Sequence, residues 1–235
     1  MSRRMTIVVA SRNPGKIREF KRIFSEYAPD VEWQFLSAVD LDLPEIEETG
    51  STFSENAKIK ALAGARYLAD PGFMARIKQL FAETHPVGTG SPAGTGPEGI
   101  RYICLGEDSG LEVDKLDGAP GVNSHRFSES GTDEDNNKLL LELLDGVPWD
   151  ERTCRYKCAI ALAGSTGIVA EAVGSVEGIV HTEPRGTNGF GYDPLFYAVE
   201  LGKTFGEASD AEKDAISHRR RAIQGLIPAL RSLLK

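Results

Sequence analysis

The sequence predicts an α/β protein. Short apolar runs of strand length, residues 6–10 and 102–105, alternate with longer segments whose apolar residues recur at helical spacing. Two strand-like stretches, 155–163 and 168–176, are joined by Gly-Ser-Thr-Gly, a hairpin signal that places at least one antiparallel pair in the sheet. With 235 residues, 40% of them hydrophobic and 26% charged, the chain can bury a sizeable core as one large domain or two small lobes.

Each element has its own local reason. Residues 5–10 read as a buried strand. Asn13 and Pro14 read as the cap and first position of a helix over 14–27, whose apolar stripe is Ile17, Phe20, Ile23, Phe24 and Tyr27. Residues 31–36 are the next strand, and an acidic loop follows. Residues 52–68 form a helix rich in Ala, Leu and Lys after a Ser/Thr start. Residues 71–101 read as an insert. It holds a short helical pattern, FMARIKQLF, and a run over 86–99 in which Gly or Pro fills eight of fourteen positions. Residues 102–105 are a strand, Glu-Asp-Ser-Gly a turn, 111–115 a short extended piece, and DGAPGV another turn. A helix covers 132–144, and the 155–163 and 168–176 hairpin follows. A glycine-rich loop, EPRGTNGFGYDPLF, runs into a strand. A helix begins at Ser209, and a terminal amphipathic helix carries Leu226, Leu230, Leu233 and Leu234.

Composition narrows the function classes. The net charge of −8, from 35 acidic and 27 basic residues, argues against non-specific nucleic-acid binding. Three cysteines in a chain of this size do not make a disulfide scaffold, and no second Cys/His pair completes a zinc site with Cys154 and Cys158. The N-terminal apolar run is too short for a signal-peptide core or a membrane span, so a cytoplasmic protein without membrane association is expected.

Five stretches can carry chemistry. In SRNPGK, a helix start offers free N–H groups, Gly15 lets the backbone approach closely, and Lys16 adds charge, which suits a phosphate; an ordinary capped βα turn fits as well. The Walker spacing is absent. Glu45, Glu47 and Glu48 are either a solvated acidic loop or oxygen ligands for a hard cation such as Mg2+. Asp108, at a strand end, can bind metal or take a proton from water, whereas Ser109 lacks a nucleophile-elbow context. In GFGYDP an aromatic ring can stack on a base, or simply fill a turn. Lys213 and the Ser-His-Arg-Arg-Arg run from Ser217 are either a basic helix face or donors for phosphate or a keto oxygen. Together they suit a Mg2+-dependent enzyme acting on a nucleotide.

The order of these motifs resembles one family, the inosine triphosphate pyrophosphatases, also called dITP/XTP pyrophosphatases. The matching pieces are SRNPGKIREF, EIEETGSTFSENAKIKA, EDSGLEVDKLDGAPGVNSHRF, GTNGFGYDPLF and EKDAISHRRRAI, covering the chain from residue 6 to about 230 apart from 71–101. The resemblance implies a single domain of two lobes around a central cleft, a long mixed β-sheet with flanking helices, and a homodimer. It implies hydrolysis of dITP, ITP and XTP to the monophosphate and pyrophosphate, with Mg2+. By position, it implies that Ser11, Arg12, Asn13, Pro14, Gly15 and Lys16 form the triphosphate-binding turn. Glu47, with Glu48 close by, matches the metal-binding glutamate; Lys60 matches a lysine reaching the phosphates; Asp108 matches the general base and a metal ligand; Ser109 matches a substrate contact. Phe190, Gly191, Tyr192 and Asp193 match the base-binding loop, and Lys213, His218 and Arg219 the residues that close on the base. His218 or Arg219 donating to the purine 6-keto oxygen would reject adenine. The turn usually reads Thr-Gly-Asn or Thr-His-Asn, so Arg12 is a departure. Two alternatives stand beside this reading: a Maf-like pyrophosphatase for modified pyrimidine or methylated nucleotides, and a non-catalytic nucleotide-binding protein.

Overall fold

The computed structural model describes residues 3–68, 70–84 and 100–233. In chain order the elements are β1 (Arg3–Val9), α1 (Pro14–Tyr27), β2 (Val31–Ser37), α2 (Phe53–Leu68), α3 (Pro71–Thr84), β3 (Ile100–Val113), α4 (Asp133–Leu143), β4 (Thr153–Gly164), β5 (Gly167–Val180), β6 (Phe196–Ala198), β7 (Lys203–Thr204), α5 (Asp210–Ile216) and α6 (His218–Leu233). One seven-stranded sheet runs in the order β2-β1-β3-β4-β5-β6-β7. β1 lies parallel to β2 and β3, and every pair from β3 to β7 is antiparallel. The expected mixed sheet with flanking helices is what the chain forms. Among the described residues, no helix is long and apolar enough to cross a membrane.

Local chemistry explains the helix boundaries. Asn13 caps α1 and Pro14 opens it, and Phe20, Ile23 and Phe24 are buried on one face. Ser209 and Glu212 close a capping box on α5. α3 turns the first half of the expected insert into a packed helix: Ile77 is fully buried and Phe73 meets Tyr67 of α2 at 5.4 Å between ring centres. The Gly/Pro run at 86–99 and Leu234 lie outside the described residues.

The turn expected at Glu-Asp-Ser-Gly is not there. Residues 107–110 are the middle of β3, paired throughout with β4 from Glu107↔Ile160 to Gly110↔Lys157. The flanking glycines serve close packing instead. A Cβ at Gly106 would stand 2.0 Å from the Ala57 carbonyl oxygen of α2, and one at Gly110 would stand 2.2 Å from Ser124 Oγ. Residues 111–113 of the expected 111–115 piece are the same strand continued, whereas Asp114 and Lys115 begin a 3-10 turn; β4 and β5 are likewise longer than their apolar runs.

Three apolar clusters fill the fold. One packs α1 and α6 against β1–β4 and includes Ile103 and Leu105 of β3. A second packs α2 on the other face, with Val8, Cys104 and Ala161. The third lies further along the long strands and gathers Leu111 and Val113 of β3 with α4, β6 and Phe205. β3 thus passes from one part of the core to another at residues 106–110, where polar side chains replace apolar ones.

Candidate active site

A cavity of about 570 Å³ opens at that crossing, within the roughly 300–1,000 Å³ typical of small-molecule sites. Strand alternation divides its polar residues. Glu107 and Ser109 point to the α1/α6 face, where both accept hydrogen bonds from Arg219. Asp108 points to the α2 face, where Asn56 Nδ2 donates to it at 2.9 Å and Lys60 Nζ lies 3.5 Å away.

On the α2 face Lys60 is shared. It lies 2.8 Å from Glu48 Oε2 and donates to the Glu107 carbonyl at 3.1 Å. Burial opposes its charge, but Asp108 and Glu48 outweigh that and hold its pKa above the ordinary value. Burial, assisted by the Glu48 charge, pushes the Asp108 carboxyl above its ordinary value against the pull of Lys60 and Asn56. Asn56 also accepts from the Gly50 N–H, which ties the acidic loop to Asp108. Glu45 and Glu48 line the cavity; Glu47 is exposed and does not. Among the described residues, no three His, Cys, Asp or Glu side chains converge as metal ligands.

The turn before α1 differs from expectation in one respect. The first N–H groups of α1 are not free, because Asn13 Oδ1 accepts from Gly15 N at 2.8 Å and Lys16 N at 3.3 Å. Those two N–H groups are thus taken up within the turn itself. Ser11, Arg12, Asn13, Pro14 and Lys16 line the cavity, and Arg12 Nη2 donates to the Leu43 carbonyl, bracing the acidic loop. Gly15 sits beneath the Phe190 ring, where a Cβ would come within 2.9 Å of ring carbons.

The GFGYDP loop is a tight turn. Asp193 Oδ2 accepts from the Phe190 N–H at 2.8 Å, and Gly189 has a φ of 77° with no room for a Cβ beside that carboxylate. Lys213 Nζ lies 2.6 Å from Asp193 and 4.8 Å from the centre of the Phe190 ring, and Arg219 Cζ lies 5.5 Å from the same ring. His218 is buried and stacks on Tyr156 with ring centres 4.8 Å apart. Burial, then the Arg219 charge, pushes its pKa well below the ordinary value, so the imidazole is neutral; its Nδ1 has no partner among the described residues. Arg219 is fully engaged but for one donor: Nε and Nη2 reach Glu107, Nη2 also reaches Ser109, and Nη1 reaches Glu19, four of the five N–H groups of a guanidinium.

Of the eighteen residues that the resemblance implies for the site, sixteen line one cavity, Gly15 lies at its rim against Phe190, and Glu47 is left outside. Sequence reasoning missed Glu107, Glu19, Asn56 and Tyr156. Glu107 was readable as the alternate-face neighbour of Asp108, had the segment been read as a strand. For Glu19 the sequence offers no signal, since its partners Lys213 and Arg219 lie about two hundred residues away.

A buried carboxylate and lysine, a cationic turn and an aromatic loop in one cleft define an enzyme-like nucleotide site. The chain belongs to the Ham1 family, whose model matches residues 7–229. It is 43% identical over 232 residues to a protein of Exiguobacterium sibiricum named dITP/XTP pyrophosphatase, covering 98% of this chain and 99% of that one. A protein of the same name from Desulforamulus reducens is 38% identical, covering 97% of each. The structure resembles those of the Staphylococcus aureus Ham1 protein, with a TM-score of 0.71, 33% identity and coverage of 98% and 100%, and a Coxiella burnetii HAM1 protein, with a TM-score of 0.73, 33% identity and coverage of 97% and 99%. Membership of this family displaces the Maf-like alternative.

Proposed function

We propose that this protein is a nucleoside triphosphate pyrophosphatase acting on dITP, ITP and XTP, releasing the monophosphate and pyrophosphate and so clearing deaminated purines from the nucleotide pool. The observation that carries the reading is Asp108, a buried carboxylate set between Asn56 and Lys60 in the same cavity as Arg12 and Lys16. The names of the relatives agree with it.

Asp108 takes the proton from a water whose oxygen attacks the α-phosphorus. The new P–O bond forms as the bond to the bridging oxygen breaks, and pyrophosphate leaves. Burial raises the proton affinity of Asp108, which suits a general base. Lys16 and Arg12 bind the departing phosphates, whose charge the net −8 of the protein would otherwise oppose. Glu48 and Asp108 fit Mg2+, because both present carboxylate oxygens at the cavity and a hard cation is commonly held by one or two carboxylates with phosphate oxygens and water. When bound, Mg2+ supplies charge neutralisation for the triphosphate.

Selectivity follows from Arg219. Its remaining N–H donates to a 6-keto oxygen, whereas the 6-amino group of adenine would set donor against donor. Phe190 and the His218–Tyr156 stack supply apolar faces for the base. The same reading takes the protein as a cytoplasmic homodimer.

The test is a panel of dITP, ITP, XTP, dGTP, ATP and dTTP with Mg2+, with pyrophosphate and orthophosphate measured separately. Pyrophosphate release strongest with the deaminated purines supports the reading. Orthophosphate release, or equal rates across the panel, contradicts it.

A further inference from the structure

The proposed mechanism uses Lys16 for phosphate and Arg219 for the base, and one buried carboxylate joins them. Glu107 Oε2 accepts from Lys16 Nζ at 2.7 Å, while Oε1 accepts from Arg219 Nε at 3.2 Å and Nη2 at 3.1 Å. Its side chain is wholly withdrawn from solvent. Beyond Arg219 the alternation of charge continues. Glu19 pairs with Arg219 and lies 2.9 Å from Lys213, and Lys213 reaches Asp193 at 2.6 Å. Three cations and three carboxylates therefore alternate from the phosphate turn to the base loop. At the Lys16 end the side chain keeps 16% exposure, against 5% or less for the other members. In a low-dielectric row of shared partners, a change at one member alters the hold on the next.

We infer that Glu107 is a positioning residue that couples recognition of the purine to capture of the phosphates. The inference rests on the nucleotide reading above. A phosphate group arriving at Lys16 competes with Glu107 for the ammonium. As Lys16 turns to the phosphate, the Glu107 charge falls to Arg219 alone, which fixes the guanidinium with its one free N–H toward a keto oxygen. Linkage makes the effect mutual: a base that holds Arg219 in that position eases the release of Lys16 to phosphate. Neither ligand touches Glu107 in this scheme.

The test uses the full chain in Mg2+ buffer and measures the Kd of inosine and of adenosine, each with and without saturating inorganic pyrophosphate. In the unmodified protein, pyrophosphate should tighten inosine binding by about fivefold or more, with little effect on adenosine. Glu107→Gln should abolish that gain while binding pyrophosphate at least as well, since Lys16 is freed of its competitor; a general loss of structure would weaken both ligands together. Glu107→Asp, which keeps the charge but shortens the reach, should give a partial gain and serves if the glutamine variant does not fold. Equal inosine affinity with and without pyrophosphate in the unmodified protein overturns the coupling, as does a full gain in Glu107→Gln. Hydrolysis of ITP without such coupling leaves the nucleotide reading intact and removes this inference alone; failure to bind inosine or hydrolyse ITP removes both.

Discussion

Glu107 and Asp108 are consecutive residues of β3, both buried, and their protonation is driven in opposite directions. Burial alone would raise both. At Glu107 two cations in direct contact, Lys16 and Arg219, overcome it and hold the carboxyl far below its ordinary value. At Asp108 the nearest cation is 3.5 Å away and shared with Glu48, so burial prevails and the carboxyl is raised. Burial sets the cost of a charge, and partners decide whether it is met. One face of the strand is thereby a fixed ionic frame, and the other keeps a carboxylate under-compensated and ready to take a proton.

The largest expected effect breaks the chemical face. Asp108→Asn should lower kcat by about 10²–10⁴-fold while leaving the affinity for inosine and pyrophosphate within a few-fold. Its thermal midpoint should be unchanged or higher, because an ill-compensated charge is removed. A variant with near-normal turnover would remove Asp108 from the base role.

Arg219→Ala breaks the opposite face. It leaves Glu19 and Glu107 buried without their shared guanidinium, and should cost about 3–5 kcal/mol in denaturant unfolding. A loss no greater than that of an exposed arginine, such as Arg185, would mean that the ionic row does not hold the frame.

Acid sharpens the comparison. Burial would raise Glu19, but Arg219 and Lys213 lower it from 4.5 to about 2. Its stabilisation is present above the unfolded value and is lost as pH falls from about 4.5 to about 2, a change on the order of 3 kcal/mol. Asp108 has the reverse sign: its raised pKa makes ionisation cost stability as pH rises through the folded value. Glu19→Gln should therefore flatten the acid limb of the stability profile, and Asp108→Asn should not; unfolding curves from pH 2 to 7 decide.

The smallest effect concerns the support of both faces. Gly106→Ala drives a methyl into the Ala57 carbonyl and should cost about 1–3 kcal/mol, with kcat reduced through displacement of Asp108. A fully stable, fully active alanine variant would show that β3 and α2 are not held as closely as described.

What could be read in the sequence was local. Asn13, Pro14 and an apolar stripe mark α1 with its observed bounds, and the Gly-Ser-Thr-Gly turn marks the β4–β5 hairpin, because caps and turns act on neighbouring residues. β3 was hidden because Gly, Asp and Ser favour turns locally, while the central place of the strand between β1 and β4 overrides that preference. Asp108, Lys60 and Lys213 lie within motifs, and all three line the cavity. The capping of the α1 N–H groups by Asn13 followed from its cap position, yet the helix start still read as a free anion site. The ionic row was not legible, since Glu107 meets Arg219 across 112 residues and Glu19 meets it across 200. Glu47 and Glu48 are adjacent in sequence, and only the fold of the loop distinguishes the one that reaches Lys60.

The proposed mechanism requires that water attack the α-phosphorus. Hydrolysis of ITP in heavy-oxygen water, with mass analysis of the products, tests this most directly. The account predicts the label in the phosphate of the monophosphate and none in pyrophosphate. Label in pyrophosphate, or in orthophosphate, would place the attack on another phosphorus and contradict it.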